Sequence, residues 1–398
     1  ILFAFVILDY IFLFLFLMSC PGVRDTARLT LVTPTQEQMS ELTAKQDDDG
    51  TNRDHNTDHI SIVASRLRGK FLRALKNTEL AVSTAAAHLA TQNANTGSWD
   101  DIVWTLSSNY QENQSSFFKT YRHLDRVADL SRVYAITSSP DILSAINLGL
   151  TAWCQRNPRC KNWWHNVIRS PRVMGEILLL LTTTEGFSLE LCPSVSMASA
   201  RCREDCTWIR KEYGYAWAGA NLMDVANNLL LLACAERDPQ LLTEVADRVL
   251  ATIRSESEVG QQGIQVDGSF HQHGAQQQTL SYGLVQSNLQ SSFGELFVNT
   301  PWALEQSHLA AMAMQVLVGQ RWSVYGRQID MHALGRSAFR GSGRVHCFSA
   351  AKSLGSQLRI MSTVDVKRRS DYLAFLSECQ GEKSELEGTR YFWRSDTL

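Results

Sequence analysis

From His59 to about Gly343, apolar residues recur at helical spacing with polar residues between them. After Pro239, residues Leu241, Leu242, Val245, Val249, Leu250 and Ile253 follow a 3.6-residue repeat, which predicts a helix with one apolar face. Ile177–Leu181 and Leu229–Leu232 are apolar almost all round, which predicts helices buried on several sides. Four helix starts share one grammar: Ser139-Pro140, Ser170-Pro171, Asp238-Pro239 and Thr300-Pro301. In each, a short oxygen-bearing N-cap precedes proline at the first helical position. Many such helices in one chain predict stacked antiparallel hairpins, arranged as a bundle, a solenoid or a toroid.

The two ends depart from this pattern. Ile1–Met18 is nearly all apolar, broken by Asp9 and Tyr10, and small or polar residues follow at Ser19, Cys20 and Gly22. Residues 1–22 read as a signal peptide, with a signal anchor as the alternative, because Asp9 is costly in lipid. Residues 23–58 read as a flexible polar linker, most polar from Thr35 to Asp58. Near the other end, Leu358–Val366 and Tyr372–Leu376 are short and rich in β-branched and aromatic residues. Lys367-Arg368-Arg369-Ser370-Asp371 separates them, so this stretch predicts two strands joined by a charged turn. Two or three strands cannot make an independent sheet, so they would begin a larger β domain or pack on the helices.

Charge narrows the function. Lys and Arg total 38 against 40 Asp and Glu, a net charge of −2. This excludes a general nucleic-acid coat and leaves room for a local basic cleft. Of the nine cysteines, eight remain if Cys20 leaves with a signal. Cys154 lies near Cys160, and Cys192, Cys202 and Cys206 lie close together. In an exported protein these predict disulfides stapling local loops, with free buried thiols as the alternative. Asn113-Gln114-Ser115 is a glycosylation sequon, consistent with export.

Three polar segments interrupt the helices. Asn162-Trp163-Trp164-His165 precedes Ser170-Pro171; adjacent tryptophans cannot both face the core of one helix, so at least one should line a groove where sugars stack. Asp267-Gly268-Ser269-Phe270-His271-Gln272-His273, followed by Tyr282-Gly283, should be an ordered loop beside a polar cleft. His and Tyr together can serve as a base and acid pair. His271 and His273 could instead be a metal pair, but no third ligand is evident. Between Arg321 and Arg344, five arginines face one acid, Asp330, giving +4 in a chain of −2. Guanidinium groups grip carboxylates and sulfates through paired hydrogen bonds.

Together these segments resemble the polysaccharide lyase family of hyaluronan, chondroitin AC and xanthan lyases. Asn162-Trp163-Trp164 with Ser170-Pro171 resembles its NWW…P signature, and Gly219-Ala220-Asn221-Leu222-Met223-Asp224 its GAN segment. Asp267-Gly268-Ser269-Phe270 with His273, then Tyr282-Gly283 nine residues on, resembles its DGS-aromatic segment. Gly335-Arg336-Ser337 with Arg340 resembles its GR-S-x-x-R segment. Val167 and Arg169 stand where the family usually has an acidic residue and glycine. The resemblance implies a mainly α fold: an (α/α) toroid over 59–345, then the incomplete start of an antiparallel β-sandwich over 346–398. It implies metal-independent and cofactor-free β-elimination at a uronic acid. Asn221 would bind the carboxylate, and His273 or Tyr282 would take the C5 proton. Tyr282 would then protonate the leaving oxygen. Arg336 would stabilise the Tyr282 phenolate, Arg340 would position substrate or Tyr282, and Glu387 is the family's glutamate by position. Trp163, Trp164, Tyr215 and Trp217 would form an aromatic platform beside Asn162.

The expected partner is an acidic polysaccharide such as hyaluronan or chondroitin, met outside the cell by a monomer. No nucleic acid is expected, and no membrane partner unless residues 1–22 persist as an anchor. A catalytically weak or inactive carbohydrate-binding member of the same fold is the alternative. A toroidal glycoside hydrolase ranks last, because it needs two placed carboxylates and the Gln-rich loop offers no convincing pair.

Overall fold

Two kinds of helix build the molecule, and burial tells them apart. The computed structural model describes residues 59–211, 213–256, 261–339 and 350–382. The inner row is α3 (Tyr110–Thr137), α5 (Ser170–Thr182), α7 (Gly219–Glu236), α9 (Tyr282–Leu296) and α11 (Ala350–Val364), each packed on the next. The outer helices include α2 (Thr78–Thr91), α4 (Pro140–Arg156), α6 (Ser194–Asp205) and α8 (Pro239–Ala251), backing onto inner neighbours. Ile177–Leu181 and Leu229–Ala235 are buried without a break, as their all-round apolar sequence requires. Helix α8 buries only Leu242, Val245, Ala246 and Val249, one face of its repeat. Each fully buried leucine contributes about 1.5–3 kcal/mol, so α5 and α7 carry more of the core than the outer helices. This alternation is the (α/α) toroid expected from the sequence.

The inner helices run in one direction. Helix α1 (His59–Arg73) crosses their C-terminal ends, burying Ile60, Val63, Ala64 and Leu67 against α5, α7 and α9. Its arginines supply donors to carbonyls that a helix end leaves unpaired. Arg68 donates to Ala135 O of α3 at 2.6 Å, and Arg66 donates to Leu296 O at the end of α9 at 2.7 Å and to Val298 O just beyond it at 2.6 Å. The opposite, N-terminal ends of the same helices are left to form a site.

Helix starts follow the sequence grammar unequally. Pro140 and Pro239 open α4 and α8, and Asp238 accepts the Leu241 N–H at 2.9 Å. Ser170-Pro171 instead lies within a continuous helical path that begins in a π-helical turn, His165–Arg169. Pro171 has no N–H to give the Val167 carbonyl. The Ser170 N–H reaches back five residues to His165 O, and the Asn228 amide of α7 donates to Ile168 O at 2.9 Å. Thr300-Pro301 is a turn and not a helix start. The next helix, α10 (Gln306–Ala313), is opened by a capping box between Glu305 and His308, while Trp302 turns back against Phe297 and His59.

The two expected strands near the C-terminus are helices. Leu358–Val366 falls in α11 and the 3-10 turn after it, and Tyr372–Leu376 in α12 (Arg369–Gln380). Buried Leu354, Leu358 and Met361, then Tyr372, Phe375, Leu376 and Cys379, recur at helical spacing. That burial outweighs the strand preference of the branched residues. The charged run is a 3-10 turn and the first turn of α12. The proposed signal and linker, residues 1–58, lie outside the described residues. Among the described residues no helix is long and apolar enough to cross a membrane.

Candidate active site

The N-terminal ends of α3, α5, α7 and α9 open onto one cleft of about 990 Å³. Gln114 and Phe118 line it from α3, Arg172 from α5, Asn221 and Asp224 from α7, and Tyr282 and Val285 from α9. Each helix start carries roughly half a positive charge. The starts of α3, α7 and α9, with the helical path that enters α5 through the π-helical turn, favour an acidic ligand before any side chain is counted.

An aromatic wall occupies one side. Trp163 stacks on Trp217 with ring centres 5.0 Å apart, and the Trp217 indole N–H donates to Thr207 O at 2.8 Å. A short hairpin, β1 (Ile209–Arg210) with β2 (Tyr215–Ala216), carries Arg210 over the Trp163 ring at 4.6 Å. Arg210 also donates to the Tyr215 hydroxyl at 3.1 Å. Trp164 lines the cleft and meets His165 edge to face at 5.3 Å. Asn162 accepts the Trp164 N–H at 3.2 Å, holding the corner that presents both tryptophans.

The Gln-rich loop forms the other side. Gly319 packs so closely on Gly268 that a Cβ there would stand 1.8 Å from the Gly268 carbonyl oxygen. Asp267 accepts both the N–H and hydroxyl of Ser269, fixing the turn. Gln272 then reaches across to the start of α7, where its Oε1 accepts the Ala220 N–H at 3.0 Å. Gly219 has φ +55°, and a side chain there would collide with Gln272. His271 is buried, whereas His273 turns out to the cleft with φ +64°. The two imidazoles therefore do not share one exposed face as a metal pair would. The Gln262 side chain accepts the His273 N–H at 3.0 Å. The His273 and Tyr282 rings meet edge to face, 5.2 Å between centres.

The structure thus brings together Asn162, Trp163, Trp164, Tyr215, Trp217, Asn221, His273 and Tyr282. The Asn221 amide has no hydrogen-bond partner among the described residues and faces the cavity. Arg336 lies in a 3-10 segment, Met331–Phe339, whose Ala333 carbonyl accepts the Leu280 N–H at 2.9 Å. Its backbone therefore sits beside the loop leading into Tyr282. Arg340 and Glu387 lie outside the described residues. The basic cluster around Arg336 is partly structural. Arg321 forms a buried ion pair with Glu378, Nε to Oε2 2.9 Å, and Arg327 donates to Gln380 O at the end of α12.

Sequence reasoning missed Asp224, Arg169, Arg172 and Arg210, all on the cleft. Asp224 was legible as the residue one turn after Asn221 on the same helix. Burial pushes its carboxyl up to about 6, against the opposing pull of Arg172. His165, buried beside the tryptophans, is held down at about 4 by burial and then by Arg169. Two export signs do not hold. Cys154, Cys160, Cys192, Cys202 and Cys206 are free thiols and not disulfides, and burial pushes the Cys206 thiol up to about 12. Asn113 of the sequon is buried, its amide donating to Ser107 O at 3.1 Å and accepting the Lys161 N–H at 2.8 Å.

Comparison with known proteins agrees with this architecture. The chain is 23% identical over 261 residues to the chondroitinase-AC of Pedobacter heparinus, covering 63% of this chain and 35% of that protein. It is 22% identical over 326 residues to the hyaluronate lyase of Staphylococcus aureus, covering 74% and 39%. The chain thus spans less than half the length of either relative. A solved chondroitinase AC lyase, determined with oligosaccharide complexes, superposes with a TM-score of 0.66 at 21% identity, over 81% of this chain and 45% of that one. The family model for the N-terminal alpha-helical domain of polysaccharide lyase family 8 matches residues 60–376, most of the described fold and every cleft residue named above, and the chain belongs to that family.

Proposed function

We propose that this chain cleaves a uronate-containing polysaccharide, such as chondroitin or hyaluronan, by β-elimination. The observation that carries the reading is the convergence of Asn221, His273 and Tyr282 opposite an aromatic wall, in a cleft ringed by helix starts. Sugar faces stack on Trp163 and Trp164, which sets the polymer along the wall. The Asn221 amide donates to the uronate carboxylate and stabilises the charge that develops when the C5 proton leaves. His273 and Tyr282 are the pair through which that proton passes. The C5–H and C4–O bonds break, a C4=C5 double bond forms, and Tyr282 delivers a proton to the departing oxygen. Arg336, on the segment tied to the Tyr282 loop, is the cation expected to favour the phenolate. Among the described lining residues Asp224 is the single carboxylate, which disfavours a two-carboxylate hydrolase.

The test is ultraviolet absorbance of the unsaturated uronate during incubation with chondroitin sulfate and with hyaluronan. Wild type should raise it, Tyr282→Phe should not, and Asn221→Ala should slow it by roughly 10²–10³. Polymer binding by folded protein without any absorbance rise would replace this reading with that of a non-catalytic carbohydrate-binding member. Loss of viscosity without absorbance would indicate hydrolysis.

A further inference from the structure

We propose that Arg169, with Arg172 three residues on, forms a second anion subsite in the cleft. It would receive an acidic substituent on a sugar flanking the one that is cut. The proposal rests on the elimination reading for its polymer, but not for its geometry. Both arginines line the cavity at the start of α5, beyond the tryptophan pair. The face of Arg169 is occupied: its guanidinium carbon lies 3.7 Å from the Tyr121 ring centre and 5.3 Å from that of Phe118. Stacking of this kind fixes the plane of the fork. Asp125 forms a long ion pair with it at 3.8 Å, beyond hydrogen-bond distance. Arg172 has no hydrogen-bond or ion-pair partner among the described residues.

Two further observations point to a ligand there. His165, 3% exposed, lines the same stretch of wall, and its Nδ1 has no hydrogen-bond partner. A buried polar atom without a partner is costly, and a bound ligand or its water would relieve it. The placement of charge adds to this. Arg169, Arg172 and Arg210 line the cavity with one carboxylate, Asp224, while Asp125 pairs with Arg169 at 3.8 Å from outside the lining. Arg172, with no ion-pair partner among the described residues, is left to meet a second anion. A sulfate on the neighbouring hexosamine, or the carboxylate of the next uronate, has the oxygen geometry to meet a guanidinium fork.

The experiment separates these two sources. Oligosaccharides of hyaluronan, unsulfated chondroitin and chondroitin sulfate are titrated into Tyr282→Phe protein, with and without Arg169→Ala, and followed by tryptophan fluorescence. Loss of a charged fork should weaken binding by about ten- to a hundredfold. Weakening confined to the sulfated oligomer supports the subsite and assigns it to sulfate. Equal weakening for all three supports it and assigns it to carboxylate. Changes below about twofold for every oligomer overturn it. Should Arg169→Ala fail to fold, Arg172→Ala on the same background is read by the same criteria. Tenfold weaker binding alongside a wild type that yields no unsaturated product would sink elimination and leave the subsite standing. Active wild type with unchanged Arg169→Ala binding would do the reverse.

Discussion

Replacing Asp224 by asparagine should stabilise the protein at neutral pH and leave it unchanged near pH 4. Asp224 lines the cleft one turn from Asn221, and burial raises its carboxyl from the ordinary value near 4 to about 6. In the unfolded chain the group ionises near 4. Below that pH it is neutral in both states and contributes nothing. Between about pH 4 and pH 6 the unfolded chain releases the proton first, so stability falls as pH rises; above 6 the loss is complete. A shift of about two units at 1.36 kcal/mol each amounts to about 3 kcal/mol. Asparagine does not ionise, and no described residue hydrogen-bonds the carboxylate it replaces. The assay is urea unfolding of wild type and Asp224→Asn at half-unit steps from pH 4 to pH 7.5. The two stabilities should coincide at the acid end and diverge in favour of the variant through pH 6. Parallel profiles would refute the argument that burial raises this group. The same logic extends to binding. A uronate carboxylate entering beside Asn221 meets the Asp224 charge, so Asp224→Asn should lower KM for an acidic polymer more at pH 7 than at pH 5.

Two other substitutions probe the frame that holds the site. Removing either partner of the buried Arg321–Glu378 pair should cost about 3–5 kcal/mol, whereas an apolar pair such as Arg321→Met with Glu378→Leu should recover most of it; urea midpoints decide. Gly319→Ala places a methyl 1.8 Å from the Gly268 carbonyl and should unseat the loop bearing His273, seen as a large loss of thermal stability. Gly214→Ala, at φ +70° but in open space, should cost only about 1–2 kcal/mol. Equal effects of the two glycine substitutions would refute the close-contact reading.

The sequence displayed the toroid because α5 and α7 are apolar almost all round and proline opens the outer helices α4 and α8. Ile177–Leu181 and Leu229–Leu232 could sit nowhere but between other helices. It displayed half the cleft as well: the Gln-rich loop pointed to His273, and the resemblance to the lyase family pointed to Asn221 and Tyr282 at the starts of α7 and α9. Other features depended on contacts that a linear reading cannot weigh. Ile360, Thr363, Val364 and Val366 suggested strands, yet Leu358 and Met361 bury at helical spacing against α9 and α12. Thr300-Pro301 has the local chemistry of a helix start, but Trp302 is held back against Phe297. Arg321 and Glu378 pair across 57 residues, so an apparent ligand-binding cation belongs to the core. Arg169 and Arg172 join the cleft because Pro171 and the π-helical turn set how the chain enters α5.

The crossing of α1 over the far ends of the inner helices bears on how the chain is made. Arg66 and its acceptor Leu296 are 230 residues apart. At about 5–20 residues per second, the ribosome needs roughly 10–50 s to deliver that partner after α1 has emerged. Until then the surface that covers Ile60, Val63 and Leu67 is incomplete, because α9, one of the three helices that α1 packs on, has not emerged. Helices α3 to α7 can close on one another as they appear, since each packs on a near neighbour in the chain. Of the described helices, the first to be synthesised therefore completes its docking late, which gives a chaperone its longest opportunity at α1. Nascent chains arrested before residue 296 should remain open to protease within α1 while α5 is already protected.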